Sequence, residues 1–259
     1  MITFNKLGRY GRLGNQMFQI ASTIGIARKN GYDVGFPEWK NWDAKERFGS
    51  DEDIDMMKYF PKFKEYVGGE WRMHNGVHQI PFGFHGFDIP DNVSIEGHMQ
   101  SEKYFKHCEQ EIRELFTQNV YENNKISCIH MRLGDFSDQF GYHPLQTLDY
   151  YEKAIYQIGA DKRYFLYSDD PEKACKLIHY WFNGRFDIWV MPKNDCMDDF
   201  NQMQSHANFI CANSTFSWWA AWLATNPNKK VVMPSNWFGP AWTIPMPTED
   251  IYFENVIVI

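Results

Sequence analysis

Between residues 126 and 233, five short apolar runs alternate with four helical patterns, and this alternation limits the fold more than any other feature of the chain. The runs cover 126–131, 164–167, 188–191, 209–212 and 231–233. The helical patterns between them cover 148–158, 171–181, 199–206 and 215–224. Parallel strands need a crossover long enough to bring the chain back, and a helix lying on the sheet supplies it, almost always right-handed. The alternation predicts an α/β region with a mostly parallel sheet over 126–235. Pro171, directly after Asp169 and Asp170, marks a helix start, because a proline at the first helical position gives up no helical hydrogen bond.

The first half is less regular. Residues 2–4 read as a short strand. Met17, Ile20, Ala21, Ile24 and Ala27 are spaced by three and four, one face of a helix, and Gly31 fits its C-cap. Residues 37–90 are rich in Trp, Phe, Gly and charge without a clean period, and no elements are assigned there. Residues 105–116 read as helix, and the polar stretch 119–125 as the link between halves. At about 150 residues per domain, 259 residues allow one large or two small domains.

Composition narrows the function classes. Lys and Arg total 26 against 33 Asp and Glu, a net charge of −7, which argues against a dedicated nucleic-acid binder. Aromatic residues are 17% of the chain, a supply of flat faces suited to sugars as well as to a core. The five cysteines have no Cys-x-x-Cys spacing, against both a disulfide scaffold and a structural zinc site, and they read as free thiols in a reducing compartment. The N-terminus carries no basic, then apolar, signal pattern. The longest stretch free of Asp, Glu, Lys and Arg is 200–228; its continuous apolar run, 218–224, falls far short of the ~20 residues needed to span a bilayer. A soluble, cytoplasmic protein is expected.

In an open parallel sheet, ligands bind where loops leave the carboxyl ends of the strands. Three polar clusters hold that position: His130-Met131-Arg132-Leu133-Gly134-Asp135, Ser168-Asp169-Asp170 and Asn213-Ser214-Thr215-Phe216. Arg132 can offer a bidentate fork to a phosphate, or instead pair with Asp135. Free N–H groups and hydroxyls at 213–215 make an anion site at a helix start, or Ser214 or Thr215 simply caps that helix. His130 also reads as a satisfied core histidine, and Asp169 and Asp170 as caps of the next helix. A fourth cluster, Gly8-x-x-Gly11-Arg12-Leu13-Gly14-Asn15-Gln16, allows close backbone approach before a helix but fits neither the dinucleotide fingerprint nor the P-loop. Asp51, Glu52 and Asp53 resemble a cation-holding Asp-x-Asp, but lie in an acidic run that reads as a solvated charge cluster, so no metal site is assigned.

Taken in order, these segments resemble glycosyltransferase family 11, the inverting α-1,2-fucosyltransferases. Gly11-Arg12-Leu13-Gly14-Asn15-Gln16-Met17-Phe18-Gln19 resembles the family's opening Gly-x-Leu-Gly-Asn-Gln-x-Phe-Gln. His130-Met131-Arg132-Leu133-Gly134-Asp135 resembles its His-x-Arg-Arg-Gly-Asp, with Leu133 in place of the second arginine. Tyr167-Ser168-Asp169-Asp170, the block from Asn213 to Trp222, and Gly97-His98-Met99-Gln100-Ser101-Glu102-Lys103-Tyr104-Phe105 match three further segments, with His98-Met99 in place of Tyr-Phe.

The resemblance implies a GT-B type α/β fold of two facing Rossmann-like domains: 1–122 on the acceptor side and 123–259 binding GDP-fucose, the final residues packing back on the first domain. It implies inverting transfer of fucose to the 2-hydroxyl of a β-galactoside, with no cofactor beyond the donor. Arg132, Asn15 and Asp135 are the implied catalytic residues, with Asp135 a candidate general base or an orienter of Arg132. Gly14, His130, Arg132, Asp169, Asp199, Asn213, Ser214, Thr215 and Phe216 are the implied donor-binding set, with His130 and Asp199 at the nucleoside. If position 133 faces the cleft, Leu133→Arg should be tolerated or tighten donor binding. The expected partners are GDP-fucose and a galactose-containing oligosaccharide, which a lipid-linked glycan at the inner face of a membrane could present; no nucleic acid and no membrane span are expected. A soluble microbial or viral form without the anchor of animal members is expected. Two alternatives stand beside this: a metal-dependent GT-A transferase using Asp51 and Asp53, and a non-catalytic glycan-binding module.

Overall fold

The computed structural model describes residues 1–40, 55–68, 76–117, 125–134, 141–244 and 246–259. The chain divides into two compact units, Met1–Gln118 with Glu249–Ile251, and Asn119–Thr248 with Tyr252–Ile259. The polar link expected at 119–125 lies almost wholly outside the described residues.

In the first unit, β1 (Ile2–Thr3), β2 (Val77–Gln79) and β3 (Val93–Glu96) form a parallel sheet in the order β1-β3-β2. Helix α1 (Leu13–Asn30) leads from β1 to Val34, which bridges in parallel to Ile2, so this stretch is a β-α-β turn. The apolar stripe of α1 is where its spacing puts it. The helix is buried more fully than a stripe implies, because Gln16, Gln19, Ser22 and Thr23 are buried as well. Buried polar groups need partners. The Ser22 hydroxyl donates to the Met99 carbonyl at 3.0 Å, and Thr23 donates to the Gln19 carbonyl at 2.7 Å. Gly31 ends the helix in the left-handed region at φ 70°, as its position predicts.

The described part of the aperiodic stretch after α1 is organised by rings. Trp39 stacks on Phe60 at 5.2 Å and meets Phe63 edge-on at 5.3 Å, and Phe116 closes on Phe60 at 5.4 Å. Phe60 lies between two short 3-10 segments, Met56–Lys58 and Pro61–Tyr66, the second of which carries Phe63, and such segments have no helical or strand period to read. The expected helix at 105–116 is split into a 3-10 turn, Lys106–Cys108, and α2 (Glu109–Phe116).

In the second unit, each of the five apolar runs overlaps a strand and each of the four patterns overlaps a helix. In chain order these are β4 (Ser127–Met131), α3 (Leu148–Ile158), β5 (Arg163–Ser168), α4 (Pro171–Phe182), β6 (Asp187–Val190), α5 (Cys196–Gln204), β7 (Asn208–Ile210), α6 (Thr215–Leu223) and β8 (Val231–Met233). A further strand, β9 (Val256–Val258), pairs in parallel with β8. The six-stranded sheet runs β6-β5-β4-β7-β8-β9 with every pair parallel. Counted within the unit this is 3-2-1-4-5-6, the doubly wound nucleotide-binding order. Helix α5 starts three residues before the expected Asp199, because the Asp195 carboxylate accepts from the Met197 N–H at 2.8 Å and caps it there.

Helices cover the sheet. Tyr150, Tyr151, Ala154, Ile155 and Ile158 of α3 join Ile129, Met131 and Leu133 in one core. Helix α6 is apolar all round and is buried accordingly: Trp218, Trp219 and Trp222 are at most 2% exposed. Its last carbonyls receive the Lys229 ammonium, at 2.6 Å from Ala224 and 3.3 Å from Trp222, a cation at the negative end of the helix dipole. No helix among the described residues is long and apolar enough to cross a membrane.

Candidate active site

In the 3-2-1-4-5-6 order the chain winds one way from β4 and the other way from β7, which opens a crevice at the carboxyl ends of these two neighbours. His130, Arg132 and Gly134 lie at the end of β4, and Asn213, Ser214, Thr215 and Phe216 follow β7. The fold therefore brings two of the three polar clusters to the switch point, and the third, at Asp169, follows β5 on the other side of β4.

Asp169 organises the β4 loop. Its two carboxylate oxygens accept from the Leu133 N–H at 2.8 Å and the Gly134 N–H at 3.1 Å, and Oδ2 stands 3.2 Å from Nη1 of Arg132. A Cβ at Gly134 would come within 2.6 Å of that same oxygen, so glycine is what lets the carboxylate approach. Burial pushes the Asp169 carboxyl up, but the guanidinium, the two N–H donors and the His130 ring outweigh it and hold the group below its ordinary value. The capping role falls to Asp170, which accepts from the Lys173 N–H at 3.0 Å.

His130 is 4% exposed. Burial, partly opposed by Asp169, lowers its pKa to about 4, so the ring is neutral near pH 7. Its Nδ1 has no hydrogen-bond partner among the described residues. The ring lies 5.7 Å from Phe216, which in turn meets Phe200 at 5.3 Å, so His130, Phe216 and Phe200 form one run of flat faces.

The start of α6 is built rigidly. The Asn213 amide is buried and donates to the carbonyls of Pro144 at 3.1 Å and Trp237 at 3.0 Å, tying two loops to the end of β7. The Tyr150 hydroxyl donates to the Cys211 carbonyl at 2.5 Å. Ser214 is the N-cap, its oxygen accepting from the Phe216 N–H at 3.4 Å, and Thr215 is the first helical residue. Ser214, Thr215 and Phe216 are half-exposed beside the fully buried remainder of the helix. Asp199, on α5 next to Phe200, is half-buried and is not the cap of its helix. Burial, with the nearby Asp198 and Asp195 carboxylates, raises its pKa against the hydrogen bond that Asn194 Nδ2 gives it at 3.0 Å.

The remaining expected residues, Gly14 and Asn15, belong to the first unit. Gly14 is buried and Asn15 half-exposed in the first turn of α1. Three amides brace this turn, and the sequence reading gave none of them a role. Gln16 Nε2 donates to the Gly11 carbonyl at 2.8 Å while its oxygen accepts from the Trp39 indole at 2.7 Å. Gln19 Nε2 donates to the Tyr10 carbonyl at 2.9 Å, and Gln100 Nε2 donates to Asn15 Oδ1 at 2.9 Å. Glutamines at 16 and 19 share a helix face that turns toward the glycine loop, and that spacing was the available signal.

Residues 78–255 match glycosyl transferase family 11. The chain belongs to glycosyl transferase family 11. An Escherichia coli alpha-1,2-colitosyltransferase is 27% identical over 88% of this chain and 90% of its own length. A galactoside 2-alpha-L-fucosyltransferase of Caenorhabditis elegans is 24% identical over 87% and 70%. The O-antigen biosynthesis glycosyltransferase WbnK of Escherichia coli is 32% identical, but over only 48% of this chain and 43% of that protein, so the chain spans less than half of that relative's length. Among solved structures, POFUT1 in complex with GDP-fucose aligns over 90% of this chain and 97% of its own, at 11% identity and a TM-score of 0.48.

In this family 11 protein the implied base or orienter Asp135 lies outside the described residues, as do Asp51, Glu52 and Asp53. Among the described residues no three His, Cys, Asp or Glu side chains gather into a metal-binding group. Arg132 pairs with Asp169, and the Asp135 partner considered from the sequence lies outside the described residues. The condition attached to Leu133→Arg, that position 133 face the cleft, is not met. It is 3% exposed and belongs to the core beneath β4, two positions on from Met131 and on the same side. An arginine there would bury an uncompensated charge, so Leu133→Arg should lower stability by on the order of 3 kcal/mol or more instead of tightening donor binding. A melting temperature within a degree of the unsubstituted protein would contradict this placement.

Burial also sets a pH dependence. His206, 1% exposed, meets the Tyr167 hydroxyl through Nε2 at 2.9 Å, and burial lowers its pKa to about 4, as for His130. Both rings are neutral when folded and charge near pH 6.5 when unfolded. Their contribution is therefore complete above about pH 6.5 and is lost as the pH falls toward 4, by up to about 3 kcal/mol for each ring. Urea unfolding at pH 7.5, 6 and 5 should show stability falling, and His130→Phe should flatten the slope. An unchanged unfolding free energy between pH 7.5 and 5 would contradict neutral burial of the two rings.

Proposed function

We propose that this chain transfers fucose from GDP-fucose to the 2-hydroxyl of a terminal β-galactoside, with inversion at the anomeric carbon. The observation that carries the reading is the convergence of Arg132 and the start of α6 at the switch point of a 3-2-1-4-5-6 sheet. A diphosphate suits such a place: a guanidinium and a helix N-terminus both favour anions. Two family relatives whose names specify 2- or 1,2-linked transfer align with most of this chain. They name different sugars, so fucose as the transferred group is part of the proposal. Five free cysteines fit action in the reducing cytoplasm, on an oligosaccharide that can be lipid-linked.

Transfer breaks the bond between the anomeric carbon and the β-phosphate oxygen as the acceptor hydroxyl attacks from the opposite face. Negative charge grows on the leaving diphosphate, and preorganised donors aimed at it are the main catalytic device. Arg132 and the N–H and hydroxyl groups of Ser214 and Thr215 take that role. Asp169 holds the Arg132 loop in place. Half-exposed Phe216, backed by the buried rings of His130 and Phe200, and Asp199 on the neighbouring helix take the nucleoside. Asn15 is a further candidate donor contact, and Asp135 a candidate base.

Incubation with GDP-fucose and a β-galactoside should give an α-1,2-fucosylated product by NMR, and turnover should persist in excess EDTA, because Arg132 and helix dipoles carry the charge. Arg132→Ala should lower kcat/KM about a hundredfold, ~3 kcal/mol of transition-state stabilisation. Product formation only from GDP-linked colitose would reassign the donor sugar, and an absolute need for Mn²⁺ would favour the Asp51 and Asp53 reading.

Guanine specificity gives a second check. A carboxylate accepts the adjacent N1–H and 2-amino donors of guanine together, and adenine has neither. GDP should raise the melting temperature well above ADP or UDP at equal concentration. Asp199→Asn should shrink that difference. Equal shifts from the three nucleotides would remove Asp199 from the base site.

A further inference from the structure

Strands β4 and β8 flank β7, and the loops that leave their carboxyl ends meet beside the start of α6. The two loops join by backbone. The Gly239 N–H donates to the Tyr142 carbonyl at 2.8 Å, and the Ala241 N–H donates to the Gly141 carbonyl at 2.8 Å. A Cβ at Gly141 would stand 3.3 Å from that of Ala241, so the glycine makes room for the approach. Asn213 fixes the pair of loops to the end of β7, because its amide donates to Pro144 of one and Trp237 of the other.

Four rings gather where the loops join. Trp242 meets Tyr142 edge-on at 5.4 Å, His143 at 6.1 Å and Phe238 at 6.0 Å. Its indole N–H donates to the Tyr142 carbonyl at 3.0 Å, and Phe238 lies 6.0 Å from His143. His143 and Phe238 are the chain neighbours of Pro144 and Trp237. The ring group therefore begins one residue, about 3.8 Å of chain, from the carbonyls that Asn213 holds. This group is not core: Tyr142 is 47% exposed and the other three rings are half-buried. The face of an aromatic ring is electron-rich and attracts the C–H groups that a pyranose presents on its less polar side. Aromatic walls beside a few fixed polar donors are how sites for organic ligands are built.

The start of α6 supplies those donors, and in the proposed function it holds a diphosphate to which the transferred sugar is bonded directly. Fucose carries a methyl group where L-galactose, otherwise the same sugar, carries a hydroxymethyl group. A wall of rings accepts the methyl, but a hydroxyl pressed against it gives up water without gaining a partner. We propose that the ring group of Tyr142, His143, Phe238 and Trp242 is the wall against which the sugar of the nucleotide sugar packs, and that it selects a 6-deoxyhexose. This rests on the reading of the α6 start as the diphosphate site, and every residue it uses belongs to the second unit.

Calorimetric titration with GDP, GDP-fucose and GDP-L-galactose, without acceptor, tests this on the full chain, Tyr142→Ala and Trp242→Leu, with melting temperatures alongside. Tyr142→Ala keeps the carbonyl that accepts from Gly239 and Trp242, so the loops stay joined. The unsubstituted chain should bind GDP-fucose about tenfold more tightly than GDP-L-galactose. Each substitution should weaken GDP-fucose about tenfold, leave GDP within about twofold and shrink the preference between the two sugars. A merely structural role for the rings would move GDP and the nucleotide sugars together. Equal affinity for the two sugars in the unsubstituted chain would overturn the proposal. So would GDP-fucose affinity unchanged in both variants, an equal loss for GDP and GDP-fucose, or an undiminished preference. Absence of GDP binding to the unsubstituted chain would instead remove the diphosphate site on which the proposal stands.

Discussion

The position of β4 between β5 and β7, parallel to both, is the constraint on which the second unit depends. Parallel strands present all their carboxyl ends at one edge of the sheet, and a change of winding direction at β4 and β7 opens a gap there that no crossover helix fills. Three residues past β4, the backbone has already met the carboxylate that follows β5, through the N–H groups of Leu133 and Gly134. Arg132 lies between two anchored points: Met131, in the ladder, and Leu133, in the core. Its guanidinium has little freedom left to lose on meeting an anion, and an ordering cost already met in the folded protein is not charged again at binding. Leu133 contributes to that rigidity because it is apolar and buried.

The first unit reaches a comparable rigidity by other means. Its described sheet is short, and β1 contributes two residues to it. The glycine loop before α1 is fixed by side-chain amides that reach its carbonyls: Gln19 at Tyr10 and Gln16 at Gly11, with Gln16 itself tied to Trp39. Trp39 sits within the ring cluster of Phe60 and Phe63, so the aromatic core and the loop are joined through one buried indole–amide bond. Such a link is worth more than its single hydrogen bond, since losing either partner would strand a buried polar group.

How much of this was legible in the sequence followed from periodicity. The second unit was readable because its runs and helical stripes have definite periods and end on caps such as Pro171; the boundaries of α3 came out residue for residue. Helix α5 was placed late because Asp198 and Asp199 look like caps as much as Asp195 does, and only the N–H they face decides. The ring-packed turns at 56–66 were invisible because 3-10 segments of three to six residues carry no period. The polar clusters were legible as a site through their place after strands, but their division of labour was not. That Asp169 faces two N–H groups and an arginine, and that Asn213 ties down Pro144 and Trp237, are long-range facts that no local pattern encodes.

Among the described residues the charges at the switch point nearly cancel, and this bears on the proposed binding of a diphosphate there. Arg132 is matched by Asp169, and His130 is neutral near pH 7. A bare excess of positive charge is therefore not the attraction on offer. What remains is directional: the guanidinium held at a fixed angle by its carboxylate, and the half-exposed first turn of α6 with its partial positive charge. A field made of fixed dipoles and a matched ion pair discriminates by geometry more than by total charge, because each donor favours an oxygen only where it points. Under the proposed transfer it would also ask for little reorganisation when charge moves from the bond being broken onto the leaving phosphate, because its donors are fixed beforehand. In this reading, Asp169 makes Arg132 less attractive to anions in general and more selective for one placed by the rest of the site, a trade that favours the transition state over the loosely bound ground state.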